Sequence, residues 1–460
     1  MRRADELEAR IAAALAGAAA DGEPHFVAVD VAVGIDDPLA FAALQIEDRF
    51  YLERPNEGLR VLGLGCREAI EADGPERFAR ADARRRALLR RVHGARPDAP
   101  LLTGGFAFAA QPRPSTTWQG YPAARLVLPE LLWFECDAER SVQTFASVQP
   151  GESAAQVAAR CATLLAHWET LLRDRPTRAH AAHEATRFEL AADRPGSDFC
   201  KAAERALRDI AAGELEKLVL ARSVRIDTAG GFDVVRSLQN LRQAHPACAV
   251  FAVGRGDATF IGATPERLLR VCGTAAQTSA VAGSAPRGRD PQEDAELARA
   301  LQESKKEQSE HAVVVRALRA AFEECCDEFS APEAPQVLRL ENVQHLETPL
   351  CGTLRHETTL LELAGRLHPT PAVGGSPYAA ALAWLDAHER CDRGWYAGLV
   401  GYVDARGGGE LCVALRSALL RGDTAHLLAG AGLVAGSEPE AELRETRLKL
   451  RTLLHALVEL

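Results

Sequence analysis

No stretch of this 460-residue chain approaches the 18 or more uninterrupted apolar residues of a membrane span. Positive charge is also short: 54 Lys and Arg stand against 64 Asp and Glu, a net charge of −10. That balance argues against nucleic acid and anionic membrane as main partners. It also obliges any anionic ligand to be met by a local group of cations or by a metal ion. The eleven cysteines lie scattered from Cys66 to Cys412 with no C-x-x-C pair, and only Cys325 and Cys326 are adjacent. Such thiols are expected to be reduced and mostly buried in a cytoplasmic protein, and no His/Cys set has zinc spacing. There is no short-period repeat and no low-complexity tail, so a solenoid is excluded.

What remains is the composition of a soluble globular protein, with 47% hydrophobic and 26% charged residues. The opening MRRADELEARIAAALAGAAADGEP faintly imitates a signal peptide. Asp5, Glu6, Glu8 and Arg10 interrupt it, however, and Leu7, Ile11 and Leu15 recur at helical spacing, so it reads as an amphipathic surface helix. Residues 1–190 then alternate strands (HFVAVDVAV, GLRVLGLG, LLTGGFAF, ARLVLPELLWFECD and SVQTFASVQ, the last two joined by a turn at Asp137–Arg140) with helical patterns at 75–93 and 153–173. The polar stretch 174–189 reads as a connector. In residues 191–460 a helix at 197–213 precedes KLVLARSVRI, ACAVFAVGR, ATFIGATPERLLRV and AAQTSAVAGS. A long helical stretch, 290–326, follows. Next come ENVQHLETPLCGTL, a hairpin of WYAGLVGYVDA and GELCVALRSALL turning at Gly407–Gly409, then HLLAGAGLVAG and a closing helix. Strands that come in groups predict an α+β protein of largely antiparallel sheets flanked by helices.

Several residues carry chemistry beyond packing. Asp290-Pro291 with Glu293, and Ser304 with Glu307, are two helix-start signals inside 290–326. Glu307, Glu310 and His311 then share one helix face. Ser437-Glu438-Pro439-Glu440 reads as another capping box, after which Glu442, Glu445 and Lys449 share a face bordering an apolar stripe of Leu443, Leu450, Leu454 and Leu457. Two helices with E-x-x-E faces can pool carboxylates around a hard cation, and Mg²⁺ suits an anionic substrate there; solvated helix faces are the plainer alternative. AGAGLVAGS, from Ala429, reads as a glycine-rich turn that either cradles an anion or simply reverses the chain. Arg416, inside the apolar run CVALRSALL, needs an anionic partner if its strand is buried. Glu266, in IGATPERLL, has apolar neighbours that favour its protonated form, which suits a general acid, although turn glutamates are equally common. Lys217 opens a strand, where lysine is ordinarily just solvated, and His345 alternates with apolar residues as a core histidine would.

The order of these motifs resembles the chorismate-utilising enzymes. The resemblance spans about 197–458, through EKLVLAR, GATPERLL, AGSAPRG, SKKEQSEHAVVV, VQHLETP, LHPTPAVGG, RGWYAGLVGY, VALRSALL and AGAGLVAGSEPEAELRETRLKL. LLTGGFAF and ARLVLPELLW are similar to the more variable N-terminal part of the same fold. The resemblance implies one composite unit, with 1–190 as the variable part and 191–460 as the chorismate-binding catalytic part. Two largely antiparallel sheets would pack together, with helices outside.

Within that family the sequence is most similar to isochorismate synthases. Ammonia-using members carry glutamine or another residue where this chain has Lys217, and read P-G-G-S-x-x-G-A-P-K against HPTPAVGGSP here. The resemblance implies Lys217 as the base that activates water and Glu266 as the acid that protonates the departing hydroxyl. It implies Glu310 and Glu445 as Mg²⁺ ligands, backed by Glu307 and Glu442. Tyr396, Arg416, Lys449 and the amides of Gly430 to Gly432 would receive the carboxylates of chorismate, with His345 lining the ring pocket. A salicylate synthase, which goes on to eliminate pyruvate, shares this lysine; a non-catalytic relative would have lost one of these positions. No glutaminase-like nucleophile motif is present, so ammonia delivery is not built into this chain; the resemblance implies a monomer with no obligatory glutaminase subunit. Whether the product feeds menaquinone or a salicylate- or catechol-type siderophore stays open.

Overall fold

Alternation of side chains decides the architecture. In the strand Asp48–Arg54, Phe50 and Leu52 belong to one apolar cluster and Tyr51 to another. In Ala249–Arg255, Phe251 and Val253 likewise oppose Val250 and Ala252. A sheet of such strands is apolar on both faces and must be covered twice. In the computed structural model, which describes residues 2–32, 36–137, 139–173, 188–340 and 343–458, one face meets a second sheet and the other meets helices.

The larger sheet has thirteen strands and the smaller ten. Phe251 and Phe260 of the first share a core with Phe106, Val400 and Leu411 of the second. On the outer face, Val250, Ile261 and Leu420 pack with Trp168 of helix Ala154–Arg173, Leu241 of Val234–Ala244 and Leu453 of Pro439–Leu457. Each large apolar side chain so buried contributes about 1.5–3 kcal/mol. Among the described residues the strands pair antiparallel, except that Phe26 and Val27 run parallel to Val92 and His93. Strands from before and after residue 190 share both sheets. Asp48–Arg54 lies between Leu59–Leu64 and Ala249–Arg255, and Pro100–Phe106 pairs with Leu399–Asp404.

The amphipathic first helix forms over Arg2–Asp21 and rests Ile11, Ala14 and Ala18 against Val27 and Val29. Of the expected connector, 174–187 lie outside the described residues, and Phe188–Ala192 is a strand paired to the end of Lys217–Thr228. The Asp137–Arg140 turn includes residue 138, and ENVQHLETP begins with 341–342; these too lie outside the described residues. All eleven cysteines are free thiols, six of them buried. No described helix is long and apolar enough to cross a membrane.

Two corrections to the strand reading shape the site. ATFIGATPERLLRV is two strands: Ala258–Thr264 lies in the larger sheet and Arg267–Cys272 in the smaller. GELCVALRSALL splits the same way, into Gly409–Val413 and Ser417–Arg421. Arg416 is therefore not inside a buried strand; it stands at a crossing between sheets, with its backbone in the left-handed region at φ 46°. The crossings are bonded together: Thr264 Oγ1 donates to Val413 O at 2.6 Å, and the Val413 amide to Glu266 O at 3.0 Å. The apolar run hides both breaks because the strands on either side are buried.

Candidate active site

Beside the double crossing lies a cavity of roughly 100 Å³, lined by Glu266, His345, Tyr396, Arg416, Gly430, Gly432, Glu310, Glu445 and Lys449, among others. The structure thus gathers nine of the twelve residues singled out above into one lining. Lys217, Glu307 and Glu442 stand behind it, each tied to a lining residue or its helix.

Lys217 is the first residue of the strand Lys217–Thr228 and has no exposed surface, so the solvated-edge reading fails. Its Nζ lies 2.9 Å from Glu310 Oε1, an ion pair without hydrogen-bond alignment. Glu310 projects from the helix Lys305–Cys325, whose start is set by Ser304 Oγ accepting from the Glu307 amide. The reciprocal half of that capping box is missing. Glu307 instead turns inward, and its Oε2 accepts from the Ser284 amide at 3.0 Å. Burial, and then the neighbouring Glu310 carboxylate, push the Glu307 carboxyl up.

On the closing helix, Pro439–Leu457, Glu445 Oε1 meets Lys449 Nζ at 2.7 Å, and Lys449 also donates to Gly430 O at 2.9 Å. Burial works against ionised Glu445, but Lys449 outweighs it and holds the carboxyl below its ordinary value. Glu442 accepts from Lys306 Nζ at 3.0 Å, and burial together with Glu445 pushes its carboxyl up. Lys306, inside SKKEQSE, was not anticipated; its signal was a lysine one residue before a face of acids. The capping box at Ser437 is not formed. The N-cap is Glu438 without a side-chain bond, and Ser437 Oγ accepts from the Val434 amide instead.

The glycine run is a turn only in its second half, at Ala435-Gly436, where Gly436 takes φ 87° before the closing helix. Gly430 and Gly432 lie within the strand Thr424–Leu433, opposite Ala221 and Val219. The site packs closely on both: a Cβ on Gly432 would sit 2.5 Å from Glu310 Oε1 and displace that carboxylate, and one on Gly430 would sit 3.2 Å from the Tyr396 hydroxyl.

Across the cavity, burial lifts the Glu266 carboxyl to about 7, although Lys217 and Lys449 draw it down. Burial, with Arg416 and Lys449 nearby, depresses His345 to about 3, so its imidazole is neutral. His345 Nδ1 is 3.0 Å from Ser284 Oγ and 3.2 Å from Gly283 O. Burial raises the Tyr396 phenol and lowers the Arg416 guanidinium. Among the described residues Arg416 makes no ion pair or side-chain hydrogen bond, so a cation stands unpaired in the cavity wall. His311, on the same helix face as Glu310, bonds Thr348 Oγ1 at 2.7 Å and does not line the cavity.

The arrangement can bind a small dianion on Arg416 and Lys449, donate a proton from Glu266 and take one at Lys217. Its carboxylates are hard oxygen donors of the kind Mg²⁺ prefers. No preformed cage of three or more such groups exists among the described residues. Three lysines instead neutralise Glu310, Glu442 and Glu445, and one or two carboxylates suffice for Mg²⁺ beside an anionic substrate.

A family profile described as chorismate binding enzyme matches residues 12–458. The chain is 37% identical to the salicylate biosynthesis isochorismate synthase of Pseudomonas aeruginosa, over 96% of this chain and 92% of that one. It is 32% identical to the isochorismate synthase MenF of Bacillus subtilis, covering 92% and 91%. The structure of the menaquinone-specific isochorismate synthase MenF from Escherichia coli superposes with a TM-score of 0.78 at 27% identity, covering 94% of this chain and 95% of that one.

Proposed function

Because the chain belongs to the family of chorismate-binding enzymes, we propose that it is an isochorismate synthase: water adds to C2 of chorismate as the C4 hydroxyl leaves. The observation that carries this reading is a cavity-lining carboxyl, Glu266, that titrates at about 7, in the same cavity as Glu310, behind which the buried Lys217 lies 2.9 Å away. Hydroxyl is a poor leaving group unless protonated as it departs, and an acid titrating at about 7 is matched to that task. Water is a poor nucleophile unless its proton is taken, and the base assigned to that step is Lys217, just behind the lining residue Glu310. Ammonia would need no such base, and an ammonium ion would meet a cation there.

Arg416 enters the reaction without a partner, and Lys449 reaches it through Gly430 O and Glu445. These two cations receive the substrate carboxylates and supply the positive charge that the chain lacks overall. Neutral His345 and Tyr396 close the pocket around the ring without adding charge. Glu310 and Glu445, with Glu307 and Glu442 behind them, would hold Mg²⁺. Bound there, the ion would neutralise a substrate carboxylate as charge shifts through the ring. The free thiols accord with a cytoplasmic enzyme, and we expect it to act as a monomer without a glutaminase subunit.

Incubation with chorismate and Mg²⁺, followed by separation of the products, tests this. Isochorismate should accumulate, with no anthranilate under abundant ammonium. Stoichiometric release of pyruvate with salicylate would replace the assignment by salicylate synthase.

A further inference from the structure

Behind the active cavity lies a second one of about 420 Å³, with no lining residue in common with the first. The wall between them is the buried pair Glu389–Arg393. Arg393 bonds both carboxylate oxygens at 2.7 Å and donates to Val219 O and Val373 O, which belong to residues lining the active cavity. Glu389 accepts from the Ala221 amide at 2.7 Å on the other side.

The floor of the second cavity is apolar, with Phe199, Leu220 and Ala221, and its rim carries Arg194, Lys201, Arg205, Arg222 and Arg390. Three acids share the lining with those five basic side chains and offset them only in part. Glu389 is neutralised by Arg393, Asp193 accepts from the Ser223 hydroxyl, and Asp198 meets only Lys201, at 4.0 Å. Among the described residues Arg194, Arg205 and Arg390 make no ion pair or side-chain hydrogen bond, and Arg222 reaches only Thr446 Oγ1, at 3.5 Å. Burial, and then Arg447, hold the Arg222 guanidinium below its ordinary value. In a chain of net charge −10, the rim groups five basic side chains around one cavity, where their summed field favours an anion.

We infer that this cavity is a second binding site, for a small organic anion with two separated carboxylate groups on an apolar body. Arg194 and Arg205, beside and on the helix Gly196–Ala211, and Arg390, just past the helix Tyr378–His388, bring guanidinium forks from separate elements that can each take a carboxylate, and the apolar lining takes the body between them. The site is distinct from the catalytic one and does not depend on the reaction proposed above.

Calorimetric titration with isophthalate, and with benzoate as its single-carboxylate counterpart, tests the inference on the full chain. Isophthalate should bind at least tenfold more tightly than benzoate, and Arg205→Ser/Arg390→Ser should erase that advantage while retaining chorismate turnover. Arg194→Ser, a second exposed and unpaired position, should weaken binding by a smaller factor. Arg416→Met, in the active cavity, should leave isophthalate binding intact. Absence of binding, equal affinity for the two probes, or loss of isophthalate binding in Arg416→Met but not in Arg205→Ser/Arg390→Ser would each overturn the proposal.

Discussion

Glu266→Gln should give an enzyme that is inactive and, in alkaline buffer, more stable than the parent. The buried carboxyl is displaced from an ordinary 4.5 to about 7, chiefly by desolvation. Its folded-state value is raised, so between those two values the native chain binds more protons than the unfolded one, and stability falls as pH rises. At about 1.4 kcal/mol per pH unit, and allowing for partial titration at both ends, the loss between pH 5 and pH 8 is about 2.5 kcal/mol. Glutamine has nearly the same shape, keeps the cavity filled and does not titrate. Urea denaturation of both proteins at pH 5 and pH 8 therefore isolates this group, because every other titration is common to the pair. The variant's relative stability should climb by about 2–3 kcal/mol across that range, with turnover lost at both ends. In the parent, kcat/KM should decline above about pH 7 as the acid ionises. An unchanged stability difference at the two pH values would show that Glu266 titrates normally, and the general-acid role would go with it.

Lys217→Ala should abolish turnover, by about a thousandfold or more on the scale of a lost general base, while equilibrium binding of chorismate persists; near-normal rates would remove Lys217 from the mechanism. Activity should vanish with a chelator and return with Mg²⁺. Calorimetric affinity for the ion should drop far more in Glu310→Ala or Glu445→Ala than in Glu440→Ala, whose exposed carboxyl meets only Cys200. Gly432→Ala should leave the melting temperature within a few degrees but cut activity, since the new methyl would press on Glu310 Oε1 at 2.5 Å and disturb its contact with Lys217. Glu410→Ala should destabilise the fold by about 3–5 kcal/mol in denaturant titration, because it strips the carboxylate shared by Arg54 and Arg267 from a buried network.

The sheets and the site were legible to different degrees, for physical reasons. Lys217, Glu266 and the paired E-x-x-E faces stood out because motif order is preserved whatever the local packing. Asp48–Arg54 escaped notice as a strand since DRFYLER looks solvent-facing. In the structure its charges are paired internally, Glu53 with Arg242, Asp48 with Arg125 and Arg255, and Arg54 with Glu410. The breaks at Glu266 and Arg416 were invisible because hydrophobic periodicity does not register a strand that changes sheets while staying buried. Of the glycine run only Ala435-Gly436 turns the chain, whereas Gly430 and Gly432 belong to the strand before it. Its glycines answer to Tyr396 and Glu310 on distant segments, and no local pattern encodes contacts across that separation. Lys306 was missed for the same reason, its partner Glu442 being 136 residues away.

The measurement that bears most directly on the proposed reaction is turnover of chorismate with Mg²⁺ in water enriched in oxygen-18, with the product isolated and weighed by mass spectrometry. If Lys217 activates water for attack at C2 while Glu266 releases the C4 hydroxyl, isochorismate should carry one solvent oxygen on the ring. Isochorismate with no solvent oxygen would contradict this account, since the C4 hydroxyl would then have migrated without leaving.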